Sequence, residues 1–337
     1  MLERILDKPI QMNLELTTRC PLHCPQCYVS LNNGREMPLD TALYWIRDAA
    51  DAGVSEVNLS GGETLCYPHL TELIRECSRL GLKSNIALSG AYVTERRLNE
   101  FIDAGVSRIF VSLNGSTREI NEKTRDGYEL AINTLELLQA MNYSKTVINW
   151  VMHECNADDF PEMIRLAERY GASRLVVMVF KPDSSHQLSS YPTKEQICAV
   201  AEQIRQYRGD VAVGPEVCFS QMCTLVKRSF FGSLNYGVFR GCGAGRDGIS
   251  VTVDGKLTPC RHLEIEEEYD HIMDYWNDSP FLAKLRSVEE ERREPCRGCK
   301  WENNCLPCMA VGMKLHGELN YGMAECPIAE PRETESK

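Results

Sequence analysis

The chain has 337 residues, 43% of them apolar and 25% charged, an ordinary globular composition with length for one large or two ordinary domains. Its formal charge of -11, from 37 basic against 48 acidic residues, excludes nucleic acid as the main partner, because a phosphate backbone is held by clustered Lys and Arg. Sixteen cysteines stand out, and with no export signal in the charged segment Met1 to Gln11 they point to metal thiolates in a reducing cytoplasm rather than to disulfides.

No stretch approaches the roughly 18 apolar residues of a membrane span. From residue 12 to 207, short β-rich runs alternate with helical patterns, which argues for parallel strands joined by helical crossovers. The spacing predicts strands over Asn13–Leu16, Glu56–Leu59, Ser84–Leu88, Arg108–Leu113, Thr146–Met152 and Arg174–Phe180. Between them, Leu70, Leu73, Ile74 and Cys77 recur at helical spacing, as do Leu98, Phe101 and Ile102, and Met163, Ile164 and Ala167. The stretches Asp51 to Val57 and Asp103 to Ile109 repeat one helix end, turn and strand start, with a third echo at Gly171 to Leu175. The periodic pattern stops near Tyr207, whereas a full eight-unit barrel takes about 250 residues, so the expected fold is α/β, an open six-unit (β/α)6 partial TIM barrel.

From Gly209 onward the texture turns to Gly, Cys and charge, with a short hairpin signal in Ile249 to Val253 before Asp254 and Gly255. The charged stretches Glu264–Asp270 and Glu289–Glu294 read as solvated faces around a helical pattern from Tyr275 to Leu285, and the tail Pro331–Lys337 as disordered. The expected organisation is therefore a barrel over 1–207, a bridging region over 208–241, a small cysteine-rich domain over 242–328 and a tail over 329–337.

Cys20, Cys24 and Cys27 follow the first strand, at the end of such barrels where chemistry is placed. Three thiolates suit an iron–sulfur cubane with one iron open to a small molecule, whereas a structural zinc closes its tetrahedron with a fourth Cys or His. This Cys-x3-Cys-x2-Cys loop resembles the signature of radical S-adenosylmethionine (SAM) enzymes. Further marks of that family occur in order. Ser60, Gly61, Gly62 and Glu63 end the second strand and resemble its Gly-Gly-Glu turn, whose glycines admit the cofactor's methionine amine. Ser112 and Asn114 stand in a Ser-Leu-Asn-Gly at the end of the fourth strand, where relatives usually carry Ser-Leu-Asp-Gly and place the serine at the ribose. Arg125 matches an arginine that pairs with the cofactor carboxylate, a task suited to a guanidinium; a surface salt bridge is the competing reading. Two departures touch the ribose contacts: Asn114 for the usual acid, and Leu88, Ser89, Gly90 where relatives often show Thr-Asn-Gly.

The C-terminal cysteines, with Gly255 five positions before Cys260, resemble the SPASM extension, although the run from Cys296 to Cys308 is one residue shorter in its last gap. By that resemblance Cys296, Cys299, Cys305 and Cys326 ligate an outer auxiliary cluster, and Cys242, Cys260 and Cys308 an inner one. The inner cluster is then one thiolate short; Cys218 or Cys223 completes it, or the position stays open for substrate. Cys223 is alternatively a catalytic thiol that returns a hydrogen atom to a substrate radical. Paired Cys-x2-Cys knuckles also suit zinc. Cys66, Cys77, Cys155 and Cys198 read as structural.

The resemblance spans roughly Gln11 to Pro327 and implies three 4Fe-4S clusters, SAM, and a flavodoxin or ferredoxin as electron donor. Relatives with this extension mostly modify ribosomally made peptides by thioether or C–C crosslinking, epimerisation or other oxidation, so a precursor peptide is the expected substrate. With the first strand near Asn13 there is no room for an N-terminal leader-binding domain, so a separate leader-recognition protein or an exposed strand edge would capture the leader. The alternatives are a sulfatase-maturase-like oxidation of a folded protein, a haem or tetrapyrrole pathway enzyme, and a non-catalytic metal-binding module.

Overall fold

The computed structural model describes residues 5–29, 34–182, 184–226, 241–288, 290–303, 305–323 and 326–330. Parts of the expected bridging region and tail, and one residue of the second charged stretch, lie outside these.

Seven parallel strands follow one another across the sheet: β1 (Gln11–Thr17), β2 (Glu56–Gly61), β3 (Lys83–Leu88), β4 (Arg108–Ser112), β5 (Thr146–Met152), β6 (Arg174–Val179) and β7 (Ala212–Pro215). All six predicted strands are present, and β7 is an addition beyond them. On the other edge, β8 (Gly248–Val251) pairs in parallel with β1, and β9 (Leu257–Thr258) pairs antiparallel with β8. The predicted hairpin thus joins the barrel sheet.

The strands alternate. In β1, Met12, Leu14 and Leu16 are fully buried in the main core, where Trp45 and Ile46 of the helix Leu39–Asp51 also lie, while Gln11 and Asn13 face an internal cavity with Glu56, Asn58 and Asn85. The helix Leu70–Arg79 buries Leu73, Ile74 and Cys77 on one stripe, as its spacing predicts. The repeated helix end is a Schellman turn: Val54 N–H donates to Ala49 O at 2.9 Å and Val106 N–H to Phe101 O at 3.0 Å. Gly53 and Gly105 supply the left-handed residue, with φ of +78° and +96°. Each unit therefore returns its chain to the start of the next strand.

The C-terminal part is tied to the same body. Trp276 Nε1–H donates to Leu6 O at 3.1 Å, and Ile272 N–H to Asp48 Oδ2 at 2.7 Å. Ile249, Val251, Tyr275 and Trp276 belong to the main core, whereas a smaller apolar cluster gathers Cys242, Leu263, Leu285, Leu306 and Val311. Cys155 is exposed, so it does not pack as the small core residue expected of it; Cys77 does. Among the described residues no helix is long and apolar enough to cross a membrane.

Candidate active site

The three predicted thiols meet at one cavity. Cys20, Cys24 and Cys27 line a space of about 180 Å³ at the C-terminal ends of the strands, together with Ser60, Ser112 and Arg125. The loop that carries them is pinned at both ends. Arg19 N–H donates to Thr17 Oγ1 at 3.0 Å and Arg35 N–H to Thr18 Oγ1 at 3.0 Å, while His23 N–H donates to Asp126 Oδ2 at 2.7 Å. Burial pushes the Cys20 thiol up to about 11, with Glu63, Cys24 and Cys27 adding to it, and raises Cys27 in the same sense. Such thiols stay protonated until a metal takes the proton's place, and metal binding then releases the proton.

The double glycine is required by a backbone approach. A Cβ on Gly61 would lie 2.3 Å from Thr17 O, and one on Gly62 2.4 Å from Arg19 O. Gly62 N–H instead donates to Thr17 O at 2.7 Å, and Glu63 N–H to Arg19 O at 2.8 Å, so the end of β2 fastens the start of the cysteine loop. The Glu63 carboxylate is buried, 1% exposed. It accepts from Leu65 N–H at 3.1 Å, Ser89 N–H at 2.8 Å and the Ser89 hydroxyl. The serine at position 89 thus holds the carboxylate. Gly61 and Gly62 do line the cavity.

Arg125 Nε–H donates to Ser112 O at 3.0 Å. Arg125 lines the cavity with the three thiols. Asn114 is held within the fold. It is 1% exposed and lines neither cavity: Nδ2 donates to Gln26 Oε1 at 2.8 Å and Thr124 Oγ1 at 2.9 Å, and Oδ1 accepts from Val151 N–H at 3.1 Å. His153 Nε2 stands 2.5 Å from the same Gln26 oxygen. Gln26, between the second and third cysteines, is thus gripped from the residue that follows β5 and from the turn after β4; neither it nor His153 was expected.

The remaining cysteines fall into two groups. Cys218, Cys242, Cys260 and Cys308 line a second cavity of about 250 Å³ in the barrel lumen. A hydrogen bond with Cys242 heads the causes, with burial next, that raise the Cys218 thiol, and Cys308 is pushed up to about 12 by burial with Cys218 and Cys260 beside it. Cys223 stands apart from that cavity, its thiol donating to Glu216 O at 3.3 Å. Cys296, Cys299, Cys305 and Cys326 form the other group: burial, then Cys305 and Cys326, pushes Cys296 up to about 12, and Cys299 and Cys326 flank Cys305. Among the described residues no three His, Cys, Asp or Glu side chains close on a single ion. The thiols are gathered without converging on one point. Lys181, Arg261 and His262, on no motif, line both cavities and form their common wall.

Residues 14–167 match the family model of the radical SAM superfamily. The chain is 31% identical to a PqqA peptide cyclase of Rhizobium meliloti over 94% of its own length and 86% of that protein's. It shares its fold with SuiB of Streptococcus suis: the TM-score is 0.76 to the structure bound to S-adenosylmethionine, at 18% identity over 96% of this chain and 78% of that one. To SuiB bound to its precursor peptide SuiA the TM-score is 0.74, at 19% identity over 96% and 77% of the two chains. The glycine-backed trio of thiols at the strand ends and the extended match along the chain have one explanation: the protein belongs to the radical SAM superfamily, in the SPASM-type family that includes the PqqA peptide cyclases.

Proposed function

We propose that this enzyme matures a ribosomally made precursor peptide by radical crosslinking. The single observation that carries the reading is the 31% identity to a PqqA peptide cyclase along nearly the whole chain. The structure of SuiB with its precursor peptide is a further support, through a shared fold. Membership of the superfamily brings a 4Fe-4S cluster and S-adenosylmethionine. When bound, the cluster supplies the electron that cleaves the cofactor to a 5′-deoxyadenosyl radical, which takes hydrogen from a peptide C–H.

In this reading Cys20, Cys24 and Cys27 hold that cluster, a donor set of three thiols lining one cavity. Gly61 and Gly62 keep the rim low, Ser60 and Ser112 face the nucleoside, and Arg125 meets the cofactor carboxylate. Two auxiliary clusters are read at the other thiol groups. Cys218, rather than Cys223, completes the inner one with Cys242, Cys260 and Cys308, because those four share a cavity. Cys296, Cys299, Cys305 and Cys326 hold the outer one. The lumen cavity, joined to the first through Lys181, Arg261 and His262, receives the peptide residue to be modified. A flavodoxin or ferredoxin supplies electrons, a separate protein presents the leader, and the setting is the cytoplasm.

The test is anaerobic reconstitution with the precursor peptide. The intact protein should yield 5′-deoxyadenosine and a peptide lighter by two hydrogens, and Cys20→Ala, Cys24→Ala or Cys27→Ala should yield neither. A variant of this trio that turns over at the intact rate would sink the assignment.

A further inference from the structure

Lys181 stands where the two cavities meet. It follows β6 and lines both the space of the thiol trio and the lumen beside Cys218, Cys242, Cys260 and Cys308. Its side chain is 10% exposed and that of Glu216 12%, with Nζ 3.0 Å from Oε1. The pair is fastened to the end of β6: Nζ donates to Val179 O at 3.4 Å, and Val179 N–H donates to the same Glu216 oxygen at 2.9 Å. Burial pushes the ammonium towards neutrality, and the Glu216 carboxylate beside it opposes that push and holds it charged. A buried ion pair is a poor device for stability, because desolvation takes back most of the attraction. A fixed cation beside four gathered thiols has another use.

Resting on the reading of those four cysteines as ligands of an auxiliary cluster, we propose that Lys181, oriented by Glu216, is a positioning residue that raises the reduction potential of that cluster. Reduction adds negative charge, and a cation fixed nearby in a low-dielectric wall favours the reduced state. The carboxylate of Glu216 keeps the ammonium in place and partly offsets its field. The consequence lies in the last step of crosslinking. Once the 5′-deoxyadenosyl radical has broken one C–H bond and the new bond has formed, the peptide must still lose one electron and one proton. With a cluster bound at those four cysteines, Lys181 would favour its reduced state and so its uptake of that electron, while the proton would leave to solvent.

The experiment is a redox titration of the reconstituted full-length protein, followed by electron paramagnetic resonance at fixed pH. The inner-cluster signal is identified by its disappearance in Cys308→Ala. Lys181→Met should lower its midpoint potential, Lys181→Arg should keep it near that of the intact protein, and Glu216→Gln should raise it. Opposite shifts from the two partners are not what a structural role would produce. A Lys181→Met protein that retains its iron and titrates at the intact potential overturns the proposal. If Lys181→Met sheds that iron, Glu216→Gln decides, and a potential at or below the intact value overturns it. Failure of the underlying reading looks different: Cys218→Ala and Cys308→Ala would then carry the full iron count.

Discussion

At the scale of single residues, Asn114 shows how a position can be found in the sequence while its partners are not. The resemblance places an acid there and aims it at the ribose, yet the side chain is spent on Gln26, Thr124 and Val151. An amide fits because it offers two donors to the Gln26 and Thr124 oxygens and an acceptor to a backbone N–H, whereas an ionised carboxylate only accepts. Asn114→Ala leaves the Val151 N–H without its acceptor and removes both donors in a buried site, so it should destabilise the protein by about 1–3 kcal/mol. Denaturant unfolding measures it; a loss below about 0.5 kcal/mol would mean that water replaces the amide. The partners were not legible because direction is not: Gln26 and His153 lie 127 positions apart, and no spacing rule links them. The cysteines were legible for the opposite reason. Their clustering along the chain is chemical, and the structure brings Cys20, Cys24 and Cys27 to one cavity.

At the scale of elements, the six long strands announced themselves as β-rich runs between helical patterns, and the short ones did not announce themselves in that way. β7 has four residues ending in Pro215, too few for a period to register, whereas β8, also of four, showed only through the turn at Asp254 and Gly255 that follows it. The composition of β1 carries a further signal. A parallel strand buried on both faces reads as a continuous apolar run, whereas β1 reads Gln-Met-Asn-Leu-Glu-Leu-Thr. Such a strand must put polar side chains into the lumen, which is where Asn13, Asn58, Asn85 and Arg108 lie. The interior is therefore a chamber, unlike the packed centre of an eight-unit barrel. Its rim depends on how closely β2 approaches the cysteine loop. Gly62→Ala sets a methyl carbon against the Arg19 carbonyl, a backbone atom that moves only with the loop. Overpacking of this kind costs about 1–3 kcal/mol, and here the displaced segment leads into Cys20. Reconstituted Gly62→Ala should carry less iron than the intact protein and lose cofactor cleavage with it; full iron content would show that the loop tolerates the shift.

At the scale of the whole molecule, the cysteine-rich part and the barrel are joined through the edge of β1, where β8 completes the sheet. The seam is closed by the Asp247 carbonyl, which accepts from Ile10 N–H at 2.7 Å and Gln11 N–H at 3.2 Å. The side chain of Asp247 is buried beside Arg246, and burial pushes its carboxyl up to about 7 while Arg246 pulls the other way. An unfolded aspartate titrates near 4. Between the two values the native state keeps a proton that the unfolded chain has lost, so the contribution to stability is full below about pH 4 and disappears as the pH rises through about 7. Asp247→Asn carries the neutral form's shape without its proton equilibrium. The variant and the intact protein should match near pH 4, and the variant should be more stable by on the order of 3 kcal/mol near pH 8. His153 has the opposite slope: burial pushes it down to about 4, so its contribution is full above its ordinary value and fades as the pH falls. Because His153 is present in both proteins, it cancels from the difference, and paired denaturation curves at several pH values isolate Asp247. A difference independent of pH would mean that Arg246 keeps the carboxylate ionised in the seam, and that the joint between barrel and cysteine-rich part is held by a charge pair rather than by a buried proton.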